Sequence, residues 1–205
     1  MRIAIMIEGK TEKVFLPTLR NYLEKYLSER MPRLDLVPYD GRIPKGDKLQ
    51  RDVQRLLSVR HCGADAVIAL TDVYTGGQQP DFSDAAEAKA KMRHWVGEEP
   101  RFFPHAAQFD FEAWLLPYWG ELQQLAGHNM AAPGSDPEKV NHMNPPSKRI
   151  HELFRRGSKG RSYVKVRDAG RILRDVDLSV AIEQCKELKA LVNTILSLSG
   201  AEILT

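Results

Sequence analysis

Residues 1–15 read MRIAIMIEGKTEKVF, and the fold turns on how this stretch divides. Ile3 to Ile7 is an unbroken apolar, partly β-branched run, the pattern of a strand buried on both faces. The EGKT that follows looks like the tail of a phosphate-binding loop. That motif, GxxxxGK[ST], needs a glycine at position 4, which is Ala4. Positions 4–7 read AIMI, a strand and not a cradle of free backbone N–H groups, so the nucleotide reading fails. What remains is an acid, Glu8, directly after a strand. Gly9 is then expected to let the chain turn tightly. Glu12, four residues on, can turn toward the same crevice once a helix begins.

Working outward, Phe15, Leu19, Leu23, Tyr26 and Leu27 predict a helix from Thr11 to about Arg30, with Pro17 delaying or kinking its start. LDLVPYDG predicts a second strand. Leu49, Val53, Leu56 and Leu57 predict a second helix, stopped near Cys62-Gly63. Ala66–Thr71 is the third strand, Asp84–Val96 a helix, Arg101–Gln108 a fourth strand, and DFEAWLLPYW the start of another helix. Strands alternating with helices predict an α/β fold with a mainly parallel sheet flanked by helices. Residues 1–125 are expected to form this core. Residues 126–205 are expected to form a loop-rich, helical C-terminal extension packing on the same domain. Within it come a loop over 127–147, a short helix near Lys148–Phe154, a basic loop, and one last helix carrying Val180, Leu188, Leu191, Val192 and Ile195.

Composition narrows the function classes. With 205 residues, 42% hydrophobic and 28% charged, the chain can build one ordinary core. Cys62 and Cys185 form no CxxC pair, which argues against a disulfide framework or a cysteine-rich zinc site and for a reduced, cytoplasmic setting. The histidines form no HxH or HxxxH pair, and there is no GxSxG. No apolar stretch is long enough to span a bilayer, and the first is too short for a signal sequence. A net charge of +3 permits a nucleic-acid partner without requiring one.

In parallel sheets, ligands sit beyond the carboxyl ends of the strands. Glu8 follows the first expected strand, Asp72 the third, and Asp110 and Glu112 the fourth. Such carboxylates repel one another unless a cation neutralises them, and Mg²⁺ takes oxygen ligands. Asp110 has a competing role as the cap of the helix that follows.

Four segments in order, IEGKTEKVFLPTL, ALTDVYTGG, QFDFEAWLL and PPSKRI, resemble a branch of the topoisomerase–primase (Toprim) family. The branch comprises small bacterial Toprim-like proteins related to the nuclease domain of the overcoming-lysogenisation-defect (OLD) family. The resemblance implies a Toprim-like, Rossmann-like fold and an Mg²⁺- or Mn²⁺-dependent nuclease acting on nucleic acid. It also implies a separate ATPase partner and a place in phage defence. Its metal ligands fall on Glu8 and Asp72, with Glu12 and Glu112 as helpers. Many Toprim domains carry DxD, but here the second acid is Tyr74, so a ligand must be missing or come from Glu112 or Asp110. Lys148, Arg149 and Lys165 stand where relatives carry cations that would offset transition-state charge.

RRGSKGRSYVKVR, residues 155–167, holds Arg155, Arg156, Lys159, Arg161, Lys165 and Arg167, with Tyr163 for stacking on a base. It is expected to grip a phosphate backbone, with Lys148 and Arg149 nearby, and to release it as salt rises. Two other readings stand beside the nuclease. One is a non-catalytic module that binds nucleic acid or protein. The other is a metal-dependent phosphatase or phosphotransferase on a small substrate.

Overall fold

The computed structural model describes residues 1–39, 41–60, 63–73, 81–140, 145–158 and 160–205. Strands β1 (Arg2–Ile7), β2 (Arg33–Pro38), β3 (Ala66–Asp72) and β4 (Phe102–Ala107) form a parallel sheet in the order β2-β1-β3-β4. Ile5 of β1 pairs with Leu36 on one side and Ile68 on the other. Parallel neighbours need crossovers, which α1 (Lys10–Leu27), α2 (Gly46–Leu57) and α3 (Ala85–Val96) supply. The chain steps from β1 out to β2, then returns past β1 to β3 and on to β4. Strand order therefore reverses between β1 and β3, the place where open sheets of this kind hold ligands.

Side chains alternate across the sheet. Ile3, Ile5 and Ile7 of β1, with Ile68 and Leu70 of β3, join α1 and the C-terminal helices in one core. Ala4 and Met6, with Val67 and Ala69, pack against α2 and α3 in another. Both faces are covered, which is why β1 and β3 read as continuous apolar runs. Pro17 sits inside α1, not at its start. It and Lys13, whose carbonyl loses its helical partner, are both exposed, so water can serve that carbonyl.

After the sheet come α4 (Trp119–Ala126), α5 (Pro146–Arg156), α6 (Lys165–Leu173), α7 (Leu178–Gln184) and α8 (Lys186–Leu198). Helices α6 and α7 pack on α1, and α8 packs on β4. The Thr18 hydroxyl donates to the Leu173 carbonyl at 2.7 Å, and His105 Nε2 meets the Thr194 hydroxyl at 3.0 Å. Among the described residues no helix is long and apolar enough to cross a membrane.

Several local expectations are corrected. FEAWLLPY is a 3-10 helix, Phe111–Tyr118, opened by a bond from the Ala113 amide to the Asp110 carbonyl three residues back, at 3.0 Å. The last helix is two, parted at Cys185, and Val180 is exposed on α7. A remote residue sets that break. The Glu138 carboxylate accepts from the Lys186 and Glu187 amides at 2.8 and 2.9 Å and so caps α8. The second helix ends at Leu57, and Cys62, half of its expected stop, lies outside the described residues.

The basic segment becomes helical from Lys165, and a buried acid organises it. Asp168, fully buried on α6, accepts from Arg161 at 2.8 Å, Arg167 at 2.9 Å and the Val164 amide at 2.8 Å. Burial alone would raise its pKa, but Arg167, the Val164 amide and Arg161 outweigh it and hold the carboxyl below its ordinary value. Upstream, Gly157 passes so close to α4 that an added Cβ would lie 2.0 Å from the Ala126 carbonyl oxygen. Replacing Asp168 by Ala should cost about 2–4 kcal/mol in denaturant unfolding, since two guanidinium groups lose their counter-ion. An unchanged unfolding midpoint would contradict this account of α6.

Candidate metal centre at the carboxyl edge of the sheet

Glu8 leaves β1 at the switch point with 8% of its surface exposed. Thr71, the penultimate residue of β3, donates a short hydrogen bond to Glu8 Oε1. Burial, and after it the Glu12 charge, push the Glu8 carboxyl from 4.5 up to about 7. Thr71, the Ile43 amide and Arg42 act in the opposite direction. Glu12, in the first turn of α1, is also buried, and its pKa is raised by burial and then by Glu112. Gly9 between them is extended at φ −151, so no tight turn demands it. What a side chain there would meet is Glu12 Oε2, 3.3 Å from an added Cβ.

Asp72 ends β3. Burial raises its pKa well above the usual range, and Glu8, Asp110, Glu12 and Glu112 each raise it further. These five carboxylates therefore share one electrostatic neighbourhood. Phe109, just ahead of Asp110, is held at φ 71, a conformation that costs a residue with a side chain about 1 kcal/mol or more. Asp110 is buried at the start of the 3-10 helix but makes no side-chain cap bond to it. Its Oδ2 instead accepts from the Ser147 amide, in the first turn of α5, at 3.1 Å. Its Oδ1 is buried without a hydrogen-bond partner among the described residues. Burial and then Glu112 push it up to about 7. On sequence alone Asp110 stands both as a cap and as a source of the missing ligand. The signal that distinguishes the roles is the PPSKRI segment, whose backbone meets this carboxylate.

Glu112 is fully buried. Its Oε2 accepts from Lys165 Nζ at 3.0 Å and its Oε1 from the Tyr163 hydroxyl at 3.4 Å. Burial would lower the Lys165 pKa, but Glu112, Asp110 and Asp72 outweigh it and raise it. Glu8, Glu12, Asp72, Asp110 and Glu112 thus lie within electrostatic reach of one another, with Thr71 on Glu8 and Lys165 on Glu112. Among the described residues no three acidic, histidine or cysteine side chains stand together as a ready metal cage. The donor set still fits a hard divalent cation. Every donor is a carboxylate oxygen, and Asp110 Oδ1 lacks a partner.

The expected nucleic-acid contacts divide. Tyr163 is buried, edge-on to His151 at 5.1 Å and tilted against Phe154 at 5.3 Å, so its ring offers no stacking face. Arg161 lies over Phe154 and binds Asp168 and the Leu125 carbonyl, which makes it part of the packing. Arg149 and Arg156 both pair with Glu152 on α5. Lys148 and Arg155 are exposed. Lys159 and Tyr74 lie outside the described residues. A surface groove of about 710 Å³ lies elsewhere, between Tyr118 and the α6–α7 junction.

Comparison with known proteins places the chain. Residues 7–196 match the family described as "Domain of unknown function (DUF4276)". The chain belongs to this family. Among solved structures, it is similar to the C-terminal region of the Burkholderia pseudomallei OLD protein, with TM-score 0.54 and 12% identity over 97% of this chain and 98% of that one. The corresponding region of the Xanthomonas campestris pv. campestris OLD protein gives TM-score 0.49 and 14% identity, over 97% and 96%. At such identity the likeness shows the fold, a parallel sheet flanked by helices. No curated protein matches.

The raised Glu8 pKa sets a pH dependence. The folded state keeps this proton up to about pH 7, whereas an unfolded chain releases it near 4.5. Ionising Glu8 therefore destabilises the metal-free fold as pH rises between those values. Urea unfolding in EDTA should find Glu8→Gln more stable than wild type at about pH 8, by on the order of 1–3 kcal/mol. The difference should vanish near pH 4. A less stable variant at the higher pH would contradict the crowding.

Proposed function

We propose that this chain is a divalent-metal-dependent, nuclease-like Toprim protein that acts on nucleic-acid phosphodiesters. The observation that carries the reading is the crowding of Asp72 with Glu8, Asp110, Glu12 and Glu112 at one sheet edge, with an ammonium against the last. A fold has little reason to hold buried like charges together unless a cation completes them. Glu8, Glu12, Asp72 and Glu112 would hold Mg²⁺ or Mn²⁺, with Asp110 as the further acid that Tyr74 does not provide. Such an ion, when bound, activates water and offsets charge on a phosphoryl group.

The chain's own residues have separable tasks in this reading. Thr71 orients Glu8, and the Ser147 amide fixes Asp110. Lys165 balances Glu112 at rest and is available to offset charge that builds on the phosphodiester. A separate ATPase partner and a place in phage defence rest on the family resemblance alone. A second reading, a non-catalytic binding module, is favoured by Tyr74 in place of the second acid. The third, a phosphatase on a small substrate, would use the same carboxylates.

Plasmid incubated with the protein and Mg²⁺ or Mn²⁺ separates the three. The nuclease reading predicts nicking that Glu8→Gln and Asp72→Asn each abolish. Plasmid binding without cleavage in all three proteins would favour the module. Metal-dependent phosphate release from small esters, with plasmid untouched, would favour the phosphatase.

A further inference from the structure

The cations of residues 161–167 are largely engaged with buried acids of the same chain, while Lys148 and Arg155 stay exposed. Another pair of cations stands beside Glu8. GRIPKG, residues 41–46, follows β2 and is bracketed by two left-handed glycines, Gly41 at φ 108 and Gly46 at φ 55. The Gly41 amide donates to the Glu8 carbonyl at 3.2 Å, and the Tyr39 amide to the Ile7 carbonyl at 2.8 Å. The segment is thereby tied to the end of β1. Ile43 and Pro44 are buried beside Glu8 and Thr71, and they hold the segment down while Arg42 and Lys45 remain exposed. Both cations reach one carboxylate. Arg42 Nη1 lies 2.5 Å from Asp81 Oδ2, and Lys45 Nζ lies 2.7 Å from Asp81 Oδ1.

These ion pairs differ in kind from those of the basic segment. Asp168 and Glu112 are fully buried, so losing their cations would strand a buried charge. The Asp81 side chain is 22% exposed and its partners 41% and 42%, so exchange for another anion in water costs little. Two cations on the two oxygens of one anion also match how a phosphate is held. The pair stands with Glu8, Thr71, Phe82 and Trp95, whereas Lys165 stands against Glu112.

We propose that Arg42 and Lys45 form a phosphate subsite beside Glu8, where the Asp81 carboxylate holds the place of a non-scissile phosphate of a nucleic-acid backbone. The identity of that ligand rests on the nuclease-like reading, whereas the anion chemistry of the subsite does not. A strand bound here leads its next phosphates toward the carboxylate cluster. Asp81 keeps the two cations together until the strand arrives.

The test measures two ligands in EDTA at low salt. They are a fluorescent single-stranded oligonucleotide, by anisotropy, and pyrophosphate, by calorimetry. The proteins are wild type, Arg42→Gln/Lys45→Gln and Asp81→Asn, with circular dichroism confirming that each is folded. The double variant should bind the oligonucleotide about tenfold more weakly, with a salt dependence reduced by about one phosphate contact. Asp81→Asn should bind it about threefold or more tightly, since the resident competitor is neutralised. Wild-type affinity and salt dependence in the double variant would overturn the subsite and leave the nuclease reading standing. No tightening in Asp81→Asn would overturn the role of Asp81. Pyrophosphate binding that needs Arg42 and Lys45, without oligonucleotide binding, would uphold the subsite and remove the nucleic-acid reading. Wild type binding neither ligand would overturn the subsite.

Discussion

Like charges crowded at the switch point of a parallel sheet are the constraint on which the rest of this structure depends. The strands β1 and β3 are buried on both faces, so their ends are fixed, and with them Glu8 and Asp72. The chain then stabilises the acids one at a time. Thr71 bonds Glu8, the start of α5 meets Asp110, and Lys165 with Tyr163 satisfies Glu112. The helices after residue 126 thus do more than cover a sheet face. Through Asp168 they set α6 so that its first residue reaches the carboxylates.

The sheet was legible because its signal is local. A run such as IAIMI or AVIAL leaves little alternative to a buried strand, and the residue after such a strand stands at the ligand edge. Glu8 and Asp72 could be picked out on that ground, and the structure sets them in one neighbourhood. Features decided by remote partners were not legible. FEAWLL has the pattern of an α-helix, and nothing local signals the tighter winding observed. The break at Cys185 depends on Glu138, far back in the chain. Tyr163 and Arg161 looked like part of an open basic loop because nothing local says that Asp168 and Glu112 are buried beneath them. Arg42 and Lys45 drew no notice, since two cations in a turn are ordinary until a shared acid and a neighbouring Glu8 give them a setting.

Fold and site also carry different weight. Membership of the DUF4276 family and the likeness to an OLD C-terminal region account for the sheet and its helices. Chemistry has to be argued from the carboxylates, because one fold serves many activities. The physical case is that their mutual repulsion destabilises the metal-free fold and that a bound cation would relieve it. In that proposal function and stability oppose one another at the same residues.

Thermal unfolding at about pH 8, in EDTA and in millimolar Mg²⁺ or Mn²⁺, tests this most directly. The account predicts that either ion raises the melting temperature of the wild type and that Glu8→Gln or Asp72→Asn removes the rise. A melting temperature indifferent to both ions, or an equal rise in both variants, would contradict it.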